Sequence, residues 1–252
     1  LRTLHPRAAG AADVSTDESV RRAFGERFAT PVVVDNNTRF AALAEAIDAA
    51  GGPSDLLYVR ISDGIGGGVV VDGRLVLGSA GFAGEIGHIT VVPDGRACRC
   101  GRRGCLETVA SAPAILERCA ERGLPVRTLA DLGTAVAAQP DVVDDVLREV
   151  GATIGHVLAT AAITLNPAEV VIGGEIVRVV PSLVSHIAAK LGEEMSSLLG
   201  DAAPTIRPAR FGDEGGALGA VATFFTQSQP LLSSHPFASS LDPANPVQRS
   251  IT

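Results

Sequence analysis

Gly84-Glu85-Ile86-Gly87-His88, then nine residues, Cys98-Arg99-Cys100, then four residues, Cys105-Leu106-Glu107: this stretch places one imidazole and three thiols within a short loop. Zinc prefers four tetrahedral nitrogen and sulfur ligands, and His88, Cys98, Cys100 and Cys105 supply that number and that type. A Cys-x-Cys pair does not readily close a disulfide on itself, and three cysteines leave one over in any disulfide scheme. Arg96, Arg99, Arg102 and Arg103 surround the thiols and favour their thiolate forms. Because protein atoms fill all four positions, the expected metal is structural zinc. Cys119 falls on an expected helix and reads as a small core residue.

Upstream of this loop the pattern is that of an α/β protein. Ser15 to Phe28 reads as a helix, with N-cap candidates at Ser15-Thr16-Asp17-Glu18 and Val20, Phe24 and Phe28 recurring every four residues. Val32-Val33-Val34 has the fully apolar character of a buried parallel strand. A helix follows, with Phe40, Leu43, Ala44 and Ile47 on one face and Gly51-Gly52-Pro53 as its stop. Leu56 to Ile61 is the next strand, which makes a βαβ unit. Gly64 to Gly68 reads as a glycine loop. Asp72-Gly73, between Val69-Val70-Val71 and Arg74 to Leu77, signals a hairpin. Ile89 to Val92 reads as a short strand entering the cysteine loop.

Downstream, Pro113 to Leu165 is helical in pattern. Val146, Val150, Ile154, Val157, Ala161 and Leu165 trace an apolar stripe that Asn166-Pro167 ends. Val170-Val171-Ile172 is a buried strand before Gly173-Gly174. Leu183, Ile187 and Leu191 mark another amphipathic helix, Thr205 to Pro208 a last strand, and Gly215 to Ala220 the start of a closely packed helix. Residues 227–252 lack periodicity and read as a disordered tail after a domain spanning 1–226.

Composition is consistent with this reading. Of 252 residues, 46% are hydrophobic and 19% charged, enough for a sizeable core. A net charge of −7 argues against broad electrostatic binding of nucleic acid by this chain itself. No stretch reads as a membrane span or a signal peptide, so a cytoplasmic location is expected. The chain begins with Leu1, and its only methionine is Met195, so a preceding N-terminal part is expected.

Gly81 to His88 together with Cys98 to Glu107 resembles the signature of the ROK family (repressors, open reading frames and kinases). Supporting matches run from Asn36 through Ala41-Ala42-Leu43-Ala44-Glu45 and Gly64-Ile65-Gly66-Gly67-Gly68 to Asn166-Pro167 and Val171-Ile172-Gly173-Gly174. The resemblance implies an actin-like, ribonuclease H-like α/β fold with two lobes around a sugar-binding cleft, here with an incomplete N-terminal lobe. It implies sugar contacts at Asn36, Asn37, Glu85, His88 and Glu107, and homodimers or homotetramers. His88 would give one ring nitrogen to zinc and the other to sugar. Kinase members of the family bind ATP and Mg²⁺ beside the sugar. Repressor members bind DNA through an N-terminal helix-turn-helix module, which this chain does not contain.

Two residues depart from the kinase pattern. Where kinase members carry the Asp that takes the hydroxyl proton, this chain has Asn37, and loss of a general base costs about 10²–10⁴-fold in rate. Asp35 is the other candidate base; it precedes the pair and should point away from Asn36 if strand alternation holds, and a register shift would bring it in. Where kinases open their phosphate loop with Gly-Thr-Gly, this chain reads Ser62-Asp63-Gly64, although Gly64, Gly66, Gly67 and Gly68 remain phosphate-loop-like. The expected function is therefore the sugar-sensing domain of a ROK-type transcriptional regulator. The alternatives are a glucokinase-like sugar kinase and a zinc-stabilised carbohydrate-binding module with neither role.

Overall fold

The computed structural model describes residues 17–30, 32–48, 52–53 and 55–226. The tail 227–252 and the N-cap candidates Ser15 and Thr16 lie outside them. In chain order the elements are α1 (Asp17–Phe28), α2 (Asn37–Ala46), β1 (Ile47–Asp48), β2 (Gly52–Pro53), β3 (Leu56–Ile61), β4 (Ile65–Val71) and β5 (Arg74–Val76). A 3-10 turn at Ile86–His88 leads into the cysteine loop. Then come α3 (Glu107–Ala110), α4 (Ala112–Glu121), α5 (Leu129–Ala138), α6 (Pro140–Leu165), β6 (Glu169–Gly173), α7 (Glu175–Val179), α8 (Ser182–Leu199), a second 3-10 turn at Gly200–Ala202, β7 (Thr205–Pro208) and α9 (Gly215–Thr226).

Five strands form one mixed sheet in the order β5-β4-β3-β6-β7. β4 runs antiparallel to both its neighbours, β3 and β5, and β3, β6 and β7 run parallel. Side chains alternate across a strand, so β3 serves two cores. Leu56 and Tyr58 pack with Ala41, Ala42, Ala46, Val70 and Val171 on the α2 face. Leu57, Val59 and Ile61 pack on the opposite face with the large cluster built from α4, α6 and α8. The result is a sheet between two helical layers.

Several local signals hold. Asp72 and Gly73 both take positive φ, 52° and 69°, as a two-residue hairpin turn demands. Val146, Val150, Ile154 and Val157 are buried along α6, and Asn166 closes that helix in the left-handed conformation. The expected stripe overreaches at its end, because Leu165 is exposed. By length and composition α6 does meet the measure for a membrane-crossing helix, contrary to the sequence expectation. Its apolar side packs on α8 and the sheet. Gly151 and Gly155 lie so close to His186, Ile187 and Lys190 that an added Cβ would overlap them, and Asp144, Asp145 and Arg148 occupy the outer side.

Three further sequence expectations need correction. Val32–Val34 is extended but belongs to no strand, and Val33 is exposed, so there is no βαβ unit here. An apolar run becomes a strand only when a neighbour takes its backbone hydrogen bonds, and none of the five sheet strands lies beside it. Gly66, Gly67 and Gly68 are not in a loop; they sit within β4, opposite Arg60, Val59 and Tyr58. A Cβ at Gly66 would crowd Thr38, at Gly67 the Gly84 carbonyl, and at Gly68 the Ala42 side chain. Close approach therefore explains glycine in a strand. Finally, Ile89 to Val92 is not a strand; it contains a single bridge, Thr90 to Cys105.

Candidate functional site

The cysteine loop is held by short local hydrogen bonds. The Val91 and Val92 amides donate to the Gly104 carbonyl, Cys98 N–H to Arg102 O, Gly104 N–H to Arg96 O, and Leu106 N–H to Ile89 O. Gly104, at φ 66°, lies against the Val92 carbonyl with no room for a side chain. This folding brings His88, Cys98, Cys100 and Cys105 together, with one donor atom from each within 4.8 Å of the others. The Cys100 and Cys105 sulfurs are 3.6 Å apart, and His88 Nδ1 lies 3.5 Å from Cys98 Sγ. Two sulfurs each about 2.3 Å from a tetrahedral zinc stand about 3.8 Å apart, so both spacing and donor set fit that ion.

Thiol chemistry within the cluster is uneven. Burial pushes the Cys98 thiol up and raises Cys105 to about 12, helped by hydrogen bonds to the neighbouring sulfurs. At Cys100 burial is again the largest influence and acts upward. The Arg102 backbone N–H, hydrogen bonds from the other two cysteines and the Arg102 guanidinium together bring it below its ordinary value. Cys119 is fully buried on α4, as a core residue should be.

Glu107 begins α3 and is buried, so it is no solvated loop charge. Its Oε2 accepts the Ile65 N–H at 3.1 Å and Arg99 Nη2 at 2.7 Å, and its Oε1 lies 3.8 Å from Cys98 Sγ. The carboxylate therefore bridges β4 and the cysteine loop. Glu85 stands immediately before the 3-10 turn that presents His88. Its Oε1 is 3.6 Å from Arg39 Nη2.

At the other side of β4, Asn36 caps α2 by accepting the Thr38 N–H at 2.8 Å. That use occupies its oxygen and leaves the amide NH₂ to donate elsewhere. Arg39, one turn on, is buried. It donates to Asp35 Oδ1 at 3.0 Å and to the Gly81 carbonyl, and it faces Glu85. Asp35 is thereby tied to Arg39 and to the Asn36 N–H. Asn37 is exposed, and its side-chain oxygen lies against Gly216 in the first turn of α9, where a Cβ would collide with it. Arg39 thus joins Asp35 and Glu85, and Arg99 joins Glu107 to the cysteine loop. From sequence Arg39 has no assigned role and Arg99 only an electrostatic part beside the thiols; the i,i+4 spacing of Asp35 and Arg39 is the signal that could have found the first pair.

The Ser62–Gly64 turn is closed by a Ser62 N–H to Gly64 O hydrogen bond of 2.9 Å. Asp63 is exposed at the edge of a groove of about 760 Å³ that Ala112, Pro113, Leu116, Leu129 and Glu175 also line. Because Gly66, Gly67 and Gly68 are paired in β4, they do not form a loop of convergent N–H groups of the kind that cradles phosphate.

Residues 11–227 match the family model described as the ROK family. A glucokinase of Halalkalibacterium halodurans is 40% identical over 163 residues, which are 58% of this chain and 49% of that protein. The DNA-binding transcriptional dual regulator NagC of Escherichia coli is 36% identical over 164 residues, 61% of this chain and 40% of the regulator. The match thus spans half or less of either curated relative. Among solved structures, the ROK hexokinase from Thermus thermophilus superposes with a TM-score of 0.73 at 32% identity, covering 81% of this chain and 68% of that one. With the family model matching most of its length, the chain belongs to the ROK family, and its mixed α/β sheet is of the ROK sugar-kinase type.

Proposed function

We propose that this chain is the sugar-sensing part of a ROK-family transcriptional regulator. It binds a hexose or hexose derivative among Asn36, Asn37, Glu85, His88 and Glu107, beside a structural zinc held by His88, Cys98, Cys100 and Cys105. The observation that carries the regulator reading over the kinase reading is the state of the two candidate bases. Asn37 carries an amide, which does not take a hydroxyl proton at neutral pH. Asp35 is engaged by Arg39 at 3.0 Å. The two kinds of relative, a glucokinase and a transcriptional regulator, are compatible with either reading.

The polar groups divide the work by what they have left to offer. His88 turns Nδ1 to the sulfurs, so Nε2 is the nitrogen available to a hydroxyl. Asn36 offers its NH₂, and Glu107 offers Oε1, whose single neighbour is the Cys98 sulfur. When bound, zinc supplies no reaction chemistry here; it fixes the ring plane of His88. Sugar that favours one arrangement of the cleft would shift the population of a regulator's DNA-binding state by its differential affinity. In this reading DNA is contacted through a helix-turn-helix module of the regulator, and a dimer or tetramer in the cytoplasm is the expected assembly.

Calorimetric titration with D-glucose and N-acetyl-D-glucosamine, paired with a coupled assay for ATP-dependent phosphorylation by the intact protein, tests the reading. Saturable sugar binding without turnover is the expected result. Phosphorylation by the intact protein would overturn it. If the missing base is the only defect, Asn37→Asp in the intact protein gains measurable kinase activity.

A further inference from the structure

Arg99 stands between two metal-ligand candidates, Cys98 and Cys100, and its guanidinium leaves the loop to meet Glu107, with Nη2 2.7 Å from Oε2. The two ends of this pair differ. The Arg99 side chain is 62% exposed, whereas that of Glu107 is 10% exposed and is also held by the Ile65 N–H of β4. Both groups lie over Gly64. A Cβ there would overlap the Glu107 carboxylate and the Arg99 guanidinium, so glycine at 64 makes the room in which they meet.

The occupancy of the carboxylate follows. It has about four lone-pair sites. Oε2 uses two, for Ile65 and Arg99, and Oε1 has only the Cys98 sulfur, at 3.8 Å. A metal-bound cysteine is a thiolate with no proton to donate, which leaves Oε1 open to a hydroxyl. Arg99 meets the carboxylate through Nη2 and Oε2, a one-nitrogen contact that holds one oxygen and leaves the other free.

We propose that Arg99 is a positioning residue linking the metal loop to the cleft. Cys98 and Cys100, which would hold zinc, flank Arg99; Arg99 fixes Oε2 of Glu107, and Glu107 presents Oε1. Arg99 itself does not touch the sugar. The link to a ligand rests on the sugar-binding reading above; the link between Arg99, Glu107 and Ile65 does not.

The experiment compares the zinc-loaded chain with its Arg99→Ala and Arg99→Lys variants by metal content, by hydrogen exchange at the Ile65 amide, and by calorimetry with D-glucose and N-acetyl-D-glucosamine. In Arg99→Ala we expect full metal content, Ile65 exchange faster by about tenfold and sugar affinity weaker by about tenfold. Arg99→Lys, with the charge but not the fork, should recover part of both. Unchanged Ile65 exchange in Arg99→Ala overturns the proposal. So does unchanged affinity for a sugar that the parent binds. Loss of metal from Arg99→Ala also overturns it, because Arg99 would then serve the fold of the loop alone. If neither parent nor variants bind either sugar while Ile65 responds as expected, the positioning role stands and the sugar-binding reading falls.

Discussion

Between Glu85 and Glu107 the chain makes only one 3-10 turn and two isolated bridges, whereas Asn37–Ala46 is a regular helix, yet the irregular segment is the more self-contained of the two. Between Ile89 and Leu106 its cross-linking backbone hydrogen bonds run among Ile89, Val91, Val92, Arg96, Cys98, Arg102, Gly104 and Leu106, and only its two ends bond to flanking residues. The helix α2 is fixed from afar. Arg39 reaches Gly81 and Glu85, Ala42 meets Gly68, Phe40 lies against Gly219, and Glu45 is held by the segment after β7. The cleft is therefore assembled from one unit that a local ligand set can order and one that only the finished fold can order.

Metal removal should separate the two units most sharply. Structural zinc contributes about 10–16 kcal/mol in small zinc-finger peptides. This loop keeps its own hydrogen bonds and packing, so chelation or Cys98→Ser should cost less, though still several kcal/mol. The expected outcome is loss of metal, a lower unfolding midpoint and lost sugar binding, with the helical circular dichroism of α6 and α8 retained. A zinc-free sample with full sugar affinity would reduce the metal to a staple.

Glu45 probes the long-range unit. Its side chain is 1% exposed and accepts from Arg207 Nη1 at 2.7 Å, Arg210 N–H at 2.7 Å and Phe211 N–H at 2.9 Å. Glu45→Ala removes the shared acceptor of Arg207 Nη1, Arg210 Nε and the Arg210 and Phe211 amides, while Arg207 keeps Glu169 at 3.0 Å. Breaking a buried pair typically costs about 3–5 kcal/mol. Arg207 and Arg210 are partly exposed, so the lower part of that range applies. Urea unfolding measures it, and a loss below about 1 kcal/mol would mean that water replaces the carboxylate.

Two glycines compare the units directly. At Gly219 an added methyl would collide with the Phe40 carbonyl where α9 crosses α2, so Gly219→Ala should cost about 1–3 kcal/mol by overpacking. Gly101, in the cysteine loop, has open space around it but a φ of 86°. Gly101→Ala there carries only backbone strain, about 1 kcal/mol. Equal losses would contradict the contrast.

The smallest effect is at Asn36. Asn36→Ala removes the cap, at about 1 kcal/mol, and the amide donor together. Asn36→Asp keeps a capping oxygen and loses the NH₂. Stability should fall in the first variant only, while sugar affinity should fall in both.

Much was legible where the signal was local. Leu56–Ile61, the Asp72-Gly73 turn, the end of α6 at Asn166 and the four clustered ligands all follow from residue type and short spacing. Val32–Val34 was misread because an apolar run does not reveal whether another strand will pair with it. Gly66-Gly67-Gly68 was misread because glycine favours loops by propensity, while here the approach of α2 and Gly84 excludes side chains from a strand. The sequence assigns Arg39 no role and Arg99 only a part in favouring thiolate, because a charged residue on a helix or loop ordinarily faces water.

By itself the sequence determined the cluster of one histidine and three cysteines, the principal helices and strands, and membership of the family, because each depends on short spacings or on a contiguous motif. The tertiary structure alone decided that Asp35 is bound to Arg39, that Glu107 is buried between Ile65 and Arg99, and that His88 presents Nδ1 to sulfur. Those outcomes depend on which distant groups the sheet and its two helical layers bring within hydrogen-bond reach, and spacing along the chain does not encode that distance.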